Sequence, residues 1–236
     1  MLKIQNVTKK YGDKIAVDHI DLEVKPGEIY GFIGHNGAGK TTTIKAVVGI
    51  LNFEEGNITI DGIDIKQNPV ACKKKIAYIP DNPDIYENLT GMQYLNFVAD
   101  IFEIGQEDRK QKIQKLSKSF EIEESLTDVV SSYSHGMKQK LVIISALIHE
   151  PDLLILDEPF VGLDPKASFT LKEYMKEMTQ KGASIFFSSH VLEVVEKLCD
   201  RVGIIKQGKM IKQGTVEQIK GDESLEEVFL ELIKDE

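Results

Sequence analysis

Eight consecutive residues, Gly34-His35-Asn36-Gly37-Ala38-Gly39-Lys40-Thr41, match the pattern G-x-x-x-x-G-K-[ST]. Each part has a chemical use. The glycines let the backbone curl so that several N–H groups point into one concavity, which binds anions. A helix beginning straight after the loop adds its positive end. Lys40 reaches the outer phosphates of a nucleotide as a flexible point charge. The Thr41 hydroxyl is an oxygen donor suited to Mg²⁺. A second segment, Leu153-Leu154-Ile155-Leu156-Asp157-Glu158-Pro159, reads as a buried strand ending in two carboxylates. Open α/β sheets bind ligands at that end of a strand. Alternation sends Asp157 and Glu158 in opposite directions, so they cannot share one role. Asp157 suits the Mg²⁺ shell, partly through water. Glu158 suits a general base for an attacking water, because partial desolvation raises the basicity of a carboxylate.

These residues need a sheet to hold them. Short apolar runs at Leu2–Val7, Ile15–Val24 and Ile29–Ile33 predict strands, with Pro26-Gly27 as a turn. Thr42–Ile50 predicts a helix, and Ile58–Ile60, Ile63–Ile65 and Ile76–Ile79 further short strands. From Asn82 to Glu150 apolar residues recur at helical spacing: Tyr94, Phe97, Val98 and Ile101, then Ile113, Leu116 and Phe120, then Met137, Leu141 and Ile144. The first of these stripes is read as mostly core, with part of it available to line a partner groove, and Lys73-Lys74-Lys75 as a solvated charge run. After Pro151 strands and helices alternate: strands at Leu153–Leu156 and Ala183–Ser188, helices at Lys166–Lys181 and Val191–Cys199. A hairpin spans Arg201–Gly214 and a last helix Ser224–Lys234. Such alternation implies parallel βαβ units. The fold class is α/β, with an antiparallel edge and a helical insert at residues 82–150 between core segments 1–81 and 151–236, all forming one domain.

Composition narrows the function. The chain has 236 residues, long enough for a core without staples. With 29 Lys and Arg against 38 Asp and Glu, the net charge is −9, which argues against a non-specific nucleic-acid partner. The two cysteines, Cys72 and Cys199, lack a C-x-x-C pattern and suit a reducing cytosol. No run approaches the 18 apolar residues that span a bilayer, so the chain is expected to be soluble and to reach a membrane only through a partner.

The residues together resemble one family, the ATP-binding subunits of ABC transporters, along nearly the whole chain. Ser134-His135-Gly136-Met137, opening a helix 23 residues before Asp157, resembles the family's signature motif. Gly162-Leu163-Asp164 resembles its D-loop, His190 its switch histidine, Tyr11 the aromatic that stacks on adenine, and Asp81 the position usually held by Gln. The resemblance implies a P-loop NTPase fold with a RecA-like parallel core sheet, and an ATPase using ATP and Mg²⁺. It implies ATP contacts from Tyr11, Val17, Gly34 to Thr42 and Asp81, catalytic roles for Lys40, Glu158 and His190, and metal contacts from Thr41, Asp81 and Asp157. It also implies that Ser134, His135, Gly136 and Met137 touch the ATP of a second subunit, with Asp164 in the D-loop, so that a homodimer or a pair of cassettes makes two composite sites. A transmembrane permease subunit is the expected partner, with this chain peripheral on the cytoplasmic side of the cell membrane. The loop Asp84–Leu89 is the expected contact with it. Tyr133, His135 and Met137 depart from the usual Leu-Ser-Gly-Gly-Gln. Met137, Asp81 and the ending Ser224-Leu225-Glu226-Glu227-Val228-Phe229 resemble the type-2 exporter branch. Two other readings are a soluble cassette ATPase acting on ribosomes or DNA, and a degenerate regulatory nucleotide-binding module.

Overall fold

Alternating burial along Leu2–Tyr11 (β1) and Lys14–Val24 (β2) folds the start of the chain into an antiparallel pair, in a computed structural model that describes residues 1–234. Glu55–Ile60 (β4) pairs with the other edge of β1, and Ile63–Asp64 (β5) follows it, giving a four-stranded sheet in the order β2-β1-β4-β5. The second sheet uses strands that are buried on both faces: Ile29–Ile33 (β3), Ile76–Ile79 (β6), Leu153–Asp157 (β7), Ser184–Ser189 (β8) and Arg201–Lys206 (β9), with Lys209–Thr215 (β10) at the edge. Its order is β10-β9-β3-β8-β7-β6, and every pairing is parallel except β9 with β10.

Period-2 alternation on this sheet separates two cores. Tyr30, Phe32, Leu153, Ile155 and Phe186 face the antiparallel sheet and the helices Lys40–Val47 (α1) and Pro69–Lys75 (α2). Ile33, Ile79, Leu154, Leu156 and Phe187 face the remaining helices. Those are Gly91–Ile101 (α3), Gln106–Ser119 (α4), His135–Leu147 (α5), Pro165–Gln180 (α6), Leu192–Leu198 (α7), Val216–Lys220 (α8) and Leu225–Lys234 (α9). Of the segment read as running to residue 236, the last two residues lie outside the described part.

Three sequence readings change. Lys73-Lys74-Lys75 closes the short helix α2, and Lys75 lies 2.8 Å from Asp61 and 3.1 Å from Asp152. Only Lys75 departs from the solvated reading; Lys73 and Lys74 are exposed. Val216–Lys220 is a helix that apolar spacing did not reveal, started by a capping box between Thr215 and Gln218. On α3 the buried face is Leu95 and Ala99, with Tyr94 and Val98 half-buried, whereas Phe97 and Ile101 are exposed. The apolar arc of α3 is wider than its contact with the core, so less of the stripe is core than read and part of it stays at the surface.

Candidate functional site

The parallel register brings four strand ends level. Ile33 pairs with Ser189, Ser188 with Asp157, and Leu156 with Ile79. The segments leaving β3, β8, β7 and β6 therefore deliver Gly34, His190, Glu158 and Asp81 to one edge of the sheet. This is where the polypeptide leaves the carboxyl ends of parallel strands and where such sheets take ligands. A groove of about 670 Å³ opens there, lined by Tyr11, Ile15, Ala16, Asn36, Gly37, Gly39, Lys40, Thr41, Thr42, Asp81, Glu158, Gln207 and Gly208 among others.

Gly37 and Gly39 take left-handed φ values of +81° and +110°, and a Cβ on Gly39 would fall 2.6 Å from the Ala16 carbonyl oxygen. Only glycine fits that turn. Lys40 is buried, and its Nζ donates to the carbonyls of Gly34 at 2.6 Å and His35 at 3.3 Å. The same Nζ lies 3.6 Å from Glu158 Oε1. Ala38 is buried beneath the loop, and its carbonyl accepts from the Gly208 N–H at 2.8 Å. The tip of the β9–β10 hairpin is thereby pinned to the loop. Sequence reading gave that hairpin no part in the site, because nothing local in Gln207-Gly208 records a partner 170 residues away.

Asp157 and Glu158 diverge as strand alternation requires. Asp157 is 1% exposed, and its Oδ1 accepts from Ser188 Oγ at 2.5 Å. Glu158 has a positive φ of 49°, and its N–H bonds to both the carbonyl and the hydroxyl of Ser188. A non-glycine residue in that region carries strain of the kind found at functional sites. Its Oε2 accepts from the His190 backbone N–H at 3.2 Å and lies 2.8 Å from His190 Nδ1. Its Oε1 is buried and has no hydrogen-bond partner. A buried oxygen without a partner is costly unless water or a ligand meets it. Ser188, which holds the Asp157 carboxylate and the Glu158 backbone N–H, had no motif to flag it.

Tyr11 is half exposed at the groove mouth. Val17 is fully buried below the groove, whose wall at this point is Ile15 and Ala16. Thr41 and Asp81 are exposed hard-oxygen donors in the groove. Among the described residues no group of three His, Cys, Asp or Glu could by itself hold a metal ion. That donor set fits Mg²⁺, which keeps water and shares its shell between a few protein oxygens and substrate phosphates.

The signature segment lies elsewhere. Ser134 caps α5, its Oγ accepting from the Met137 N–H at 3.2 Å. His135 is exposed and borders a separate hollow with Asn82, Pro83, Asp84, Glu87 and Lys138. Gly136 and Met137 are half-buried in the first turn. Asp164 caps α6, accepting from the Ala167 N–H at 2.8 Å, and pairs with Lys140 at 2.7 Å. Lys140, helped by the Ala167 N–H, holds the Asp164 carboxyl below its ordinary range. Within one chain, the phosphate groove and the signature residues are separate surfaces.

The family model described as ABC transporter matches residues 17–161. The ABC-type transporter ATP-binding protein EcsA of Bacillus subtilis is 34% identical over the whole chain and 98% of its own length. The linearmycin resistance ATP-binding protein LnrL of the same species is 38% identical over 91% of this chain and 69% of its own. The bacitracin transport ATP-binding protein BcrA of Bacillus licheniformis is 38% identical over 93% of this chain and 71% of its own. A solved ATP binding subunit of an ABC transporter superposes with a TM-score of 0.95 at 34% identity, covering 99% of both chains. An ATP-binding cassette solved as a dimer with ADP and Pi has the same fold, with a TM-score of 0.84 at 23% identity over 92% of this chain and 99% of its own.

Proposed function

Because the chain belongs to the ATP-binding subunits of ABC transporters, we propose that its hydrolysis of ATP drives export through a separate transmembrane permease. The observation that carries this reading is the convergence of Lys40, Tyr11, Asp81 and Glu158 on one groove from four distant stretches of chain. The relatives named for linearmycin resistance and bacitracin transport support export.

The loop amides and Lys40 hold the triphosphate of ATP, and Tyr11 stacks on the base. Lys40 already lies between the loop carbonyls and Glu158, so binding exchanges carbonyl partners for phosphate oxygens with little side-chain travel. Thr41, Asp81 and, through water, Asp157 are the residues to hold Mg²⁺, which when bound neutralises phosphate charge. Glu158 Oε1, the carboxylate oxygen that makes no hydrogen bond, takes the proton of the attacking water. His190 holds Oε2 and keeps that carboxylate aimed. Catalysis of this kind is positioning plus charge stabilisation.

The separation of groove and signature supports a composite site, in which Ser134, His135, Gly136 and Met137 of one chain meet the nucleotide of another. Residues 82–150 are then a subdomain that carries this contact. Among the described residues no helix is long and apolar enough to cross a membrane, so peripheral attachment through the permease is the fitting arrangement. The docking surface is the loop Asp84–Leu89, whose Tyr86 meets Phe97 edge to face at 5.5 Å, with Ile101 and Val129 also exposed.

Phosphate release from the Glu158→Gln variant tests the base. Turnover falls by about 10²–10⁴ while ATP still binds. A near-normal rate rejects the assignment. Affinity purification from detergent-solubilised membranes tests the partner: recovery of a multi-helix membrane protein supports export, and recovery of ribosomes or DNA instead supports the soluble alternative.

A further inference from the structure

Gly162 stands between the two surfaces just described. Its φ is +79°, and a Cβ built on it would lie 2.6 Å from Cδ2 and 2.8 Å from Nε2 of His135. The imidazole fills the space that a side chain at 162 would need. Gly136 closes on the same residue, since a Cβ there would sit 3.0 Å from the Gly162 carbonyl oxygen. Two residues further on, Asp164 is tied to the same helix by Lys140. In the other direction only three residues lie between Gly162 and Glu158, and the Val161 N–H closes that stretch by donating to the Glu158 carbonyl at 3.2 Å. A turn this short and closed passes a shift at Gly162 on to the carboxylate.

We infer that His135 is a positioning residue for hydrolysis: its ring seats the Gly162 turn on the start of α5 and thereby sets Glu158 of the same chain. The family signature places a glycine where this chain has His135. The ring here is therefore an added contact that glycine could not make. One extension rests on the composite-site reading above: nucleotide that presses on the start of α5 from the partner's cleft would reach Glu158 of the other cleft by this route. The contact inside one chain does not depend on that extension.

The test uses the full chain carrying His135→Ala, Gly162→Ala or both. It reads kcat and KM for ATP by phosphate release, and deuterium uptake by the amides of residues 159–164. For His135→Ala we expect kcat to fall about tenfold, as for a lost positioning contact, while any change in KM reads the ring's contact with the partner's nucleotide instead. Uptake at 159–164 rises. Gly162→Ala meets the ring and loses more. In the double variant kcat exceeds the product of the two single effects by about threefold or more, because the two residues act on each other. Effects that simply multiply, or uptake left unchanged by His135→Ala, overturn the inference. If Gly162→Ala does not fold, the exchange measurement on His135→Ala decides alone. Light scattering of Glu158→Gln with saturating Mg-ATP tests the composite site separately. Monomers there remove the extension to the partner's cleft, while the kcat and exchange data still judge the contact between His135 and Gly162.

Discussion

The phosphate groove and the signature surface, proposed to share in catalysis, are built in opposite ways. At the phosphate groove the anchoring groups are interior: Lys40, Asp157 and Ser188 are buried and held by named partners, and the exposed Thr41, Asp81 and His190 are set out from them. At the signature, Ser134 and His135 are exposed, and they are held by their own helix turn and by packing on Gly162. One surface is preorganised by the core, so its geometry is fixed before any ligand arrives. The other is a helix start aimed at solvent, whose order comes from local capping. The contrast supports the proposal that the single fold binds ATP and that association completes the cleft.

Changes at the groove should therefore damage chemistry most. Glu158→Gln, with its loss of about 10²–10⁴ in turnover, is the largest expected effect. Retention of ATP-dependent association in that variant would sharpen the contrast, and loss of both together would erase it. Ser188→Ala comes next. The hydroxyl bonds Asp157 Oδ1 and accepts from the Glu158 N–H, both in the interior. Removing it leaves a buried carboxylate short of a donor, at about 1–3 kcal/mol. Urea unfolding should show that loss, and kcat should drop with it. A variant of wild-type stability with unchanged kcat would show that the groove does not rely on this anchor.

How much of this was legible follows the same division. The phosphate loop and the two carboxylates were readable because contiguous residues encode them, and the strands beneath them because burial on both faces leaves unbroken apolar runs. The orientation of α3 was not, because Tyr94, Leu95, Phe97, Val98, Ala99 and Ile101 cover more of its circumference than packing uses. Helix α2 escaped notice because only Cys72 of its seven residues is buried, leaving no periodic signal. Ser188 and Gly208 were invisible as site residues for a different reason: their roles exist only in the register of distant strands.

At the signature a smaller effect on stability is expected. Ser134→Ala removes the cap of α5 and should cost about 1 kcal/mol, seen as a modest fall in the urea midpoint. Its effect on ATP-driven association of Glu158→Gln should be larger than that cost explains. If association is untouched, the start of α5 is a structural cap and not half of a cleft.

The smallest effect probes the joint between the two surfaces. His149, just past α5, stacks on Phe102 at the end of α3, with ring centroids 3.6 Å apart, and its Nε2 donates to the Ile76 carbonyl of β6 at 3.2 Å. Burial pushes the pKa of this imidazole below its ordinary 6.5, and Lys112 adds to the push, against the hydrogen bond to Ile76. The sign follows from which state takes up the proton. As pH falls through about 6.5 the unfolded chain protonates this residue while the folded chain does not, so stability declines with acidity. Above that pH the residue imposes no penalty. Urea midpoints measured at pH 7.5 and 5.5 should fall toward the lower pH, and His149→Phe should flatten that part of the slope while lowering stability at both pH values, since the Ile76 carbonyl loses its donor. Equal slopes in the two proteins would mean that the joint between α3, α5 and β6 opens enough to let the imidazole take its proton in the folded state.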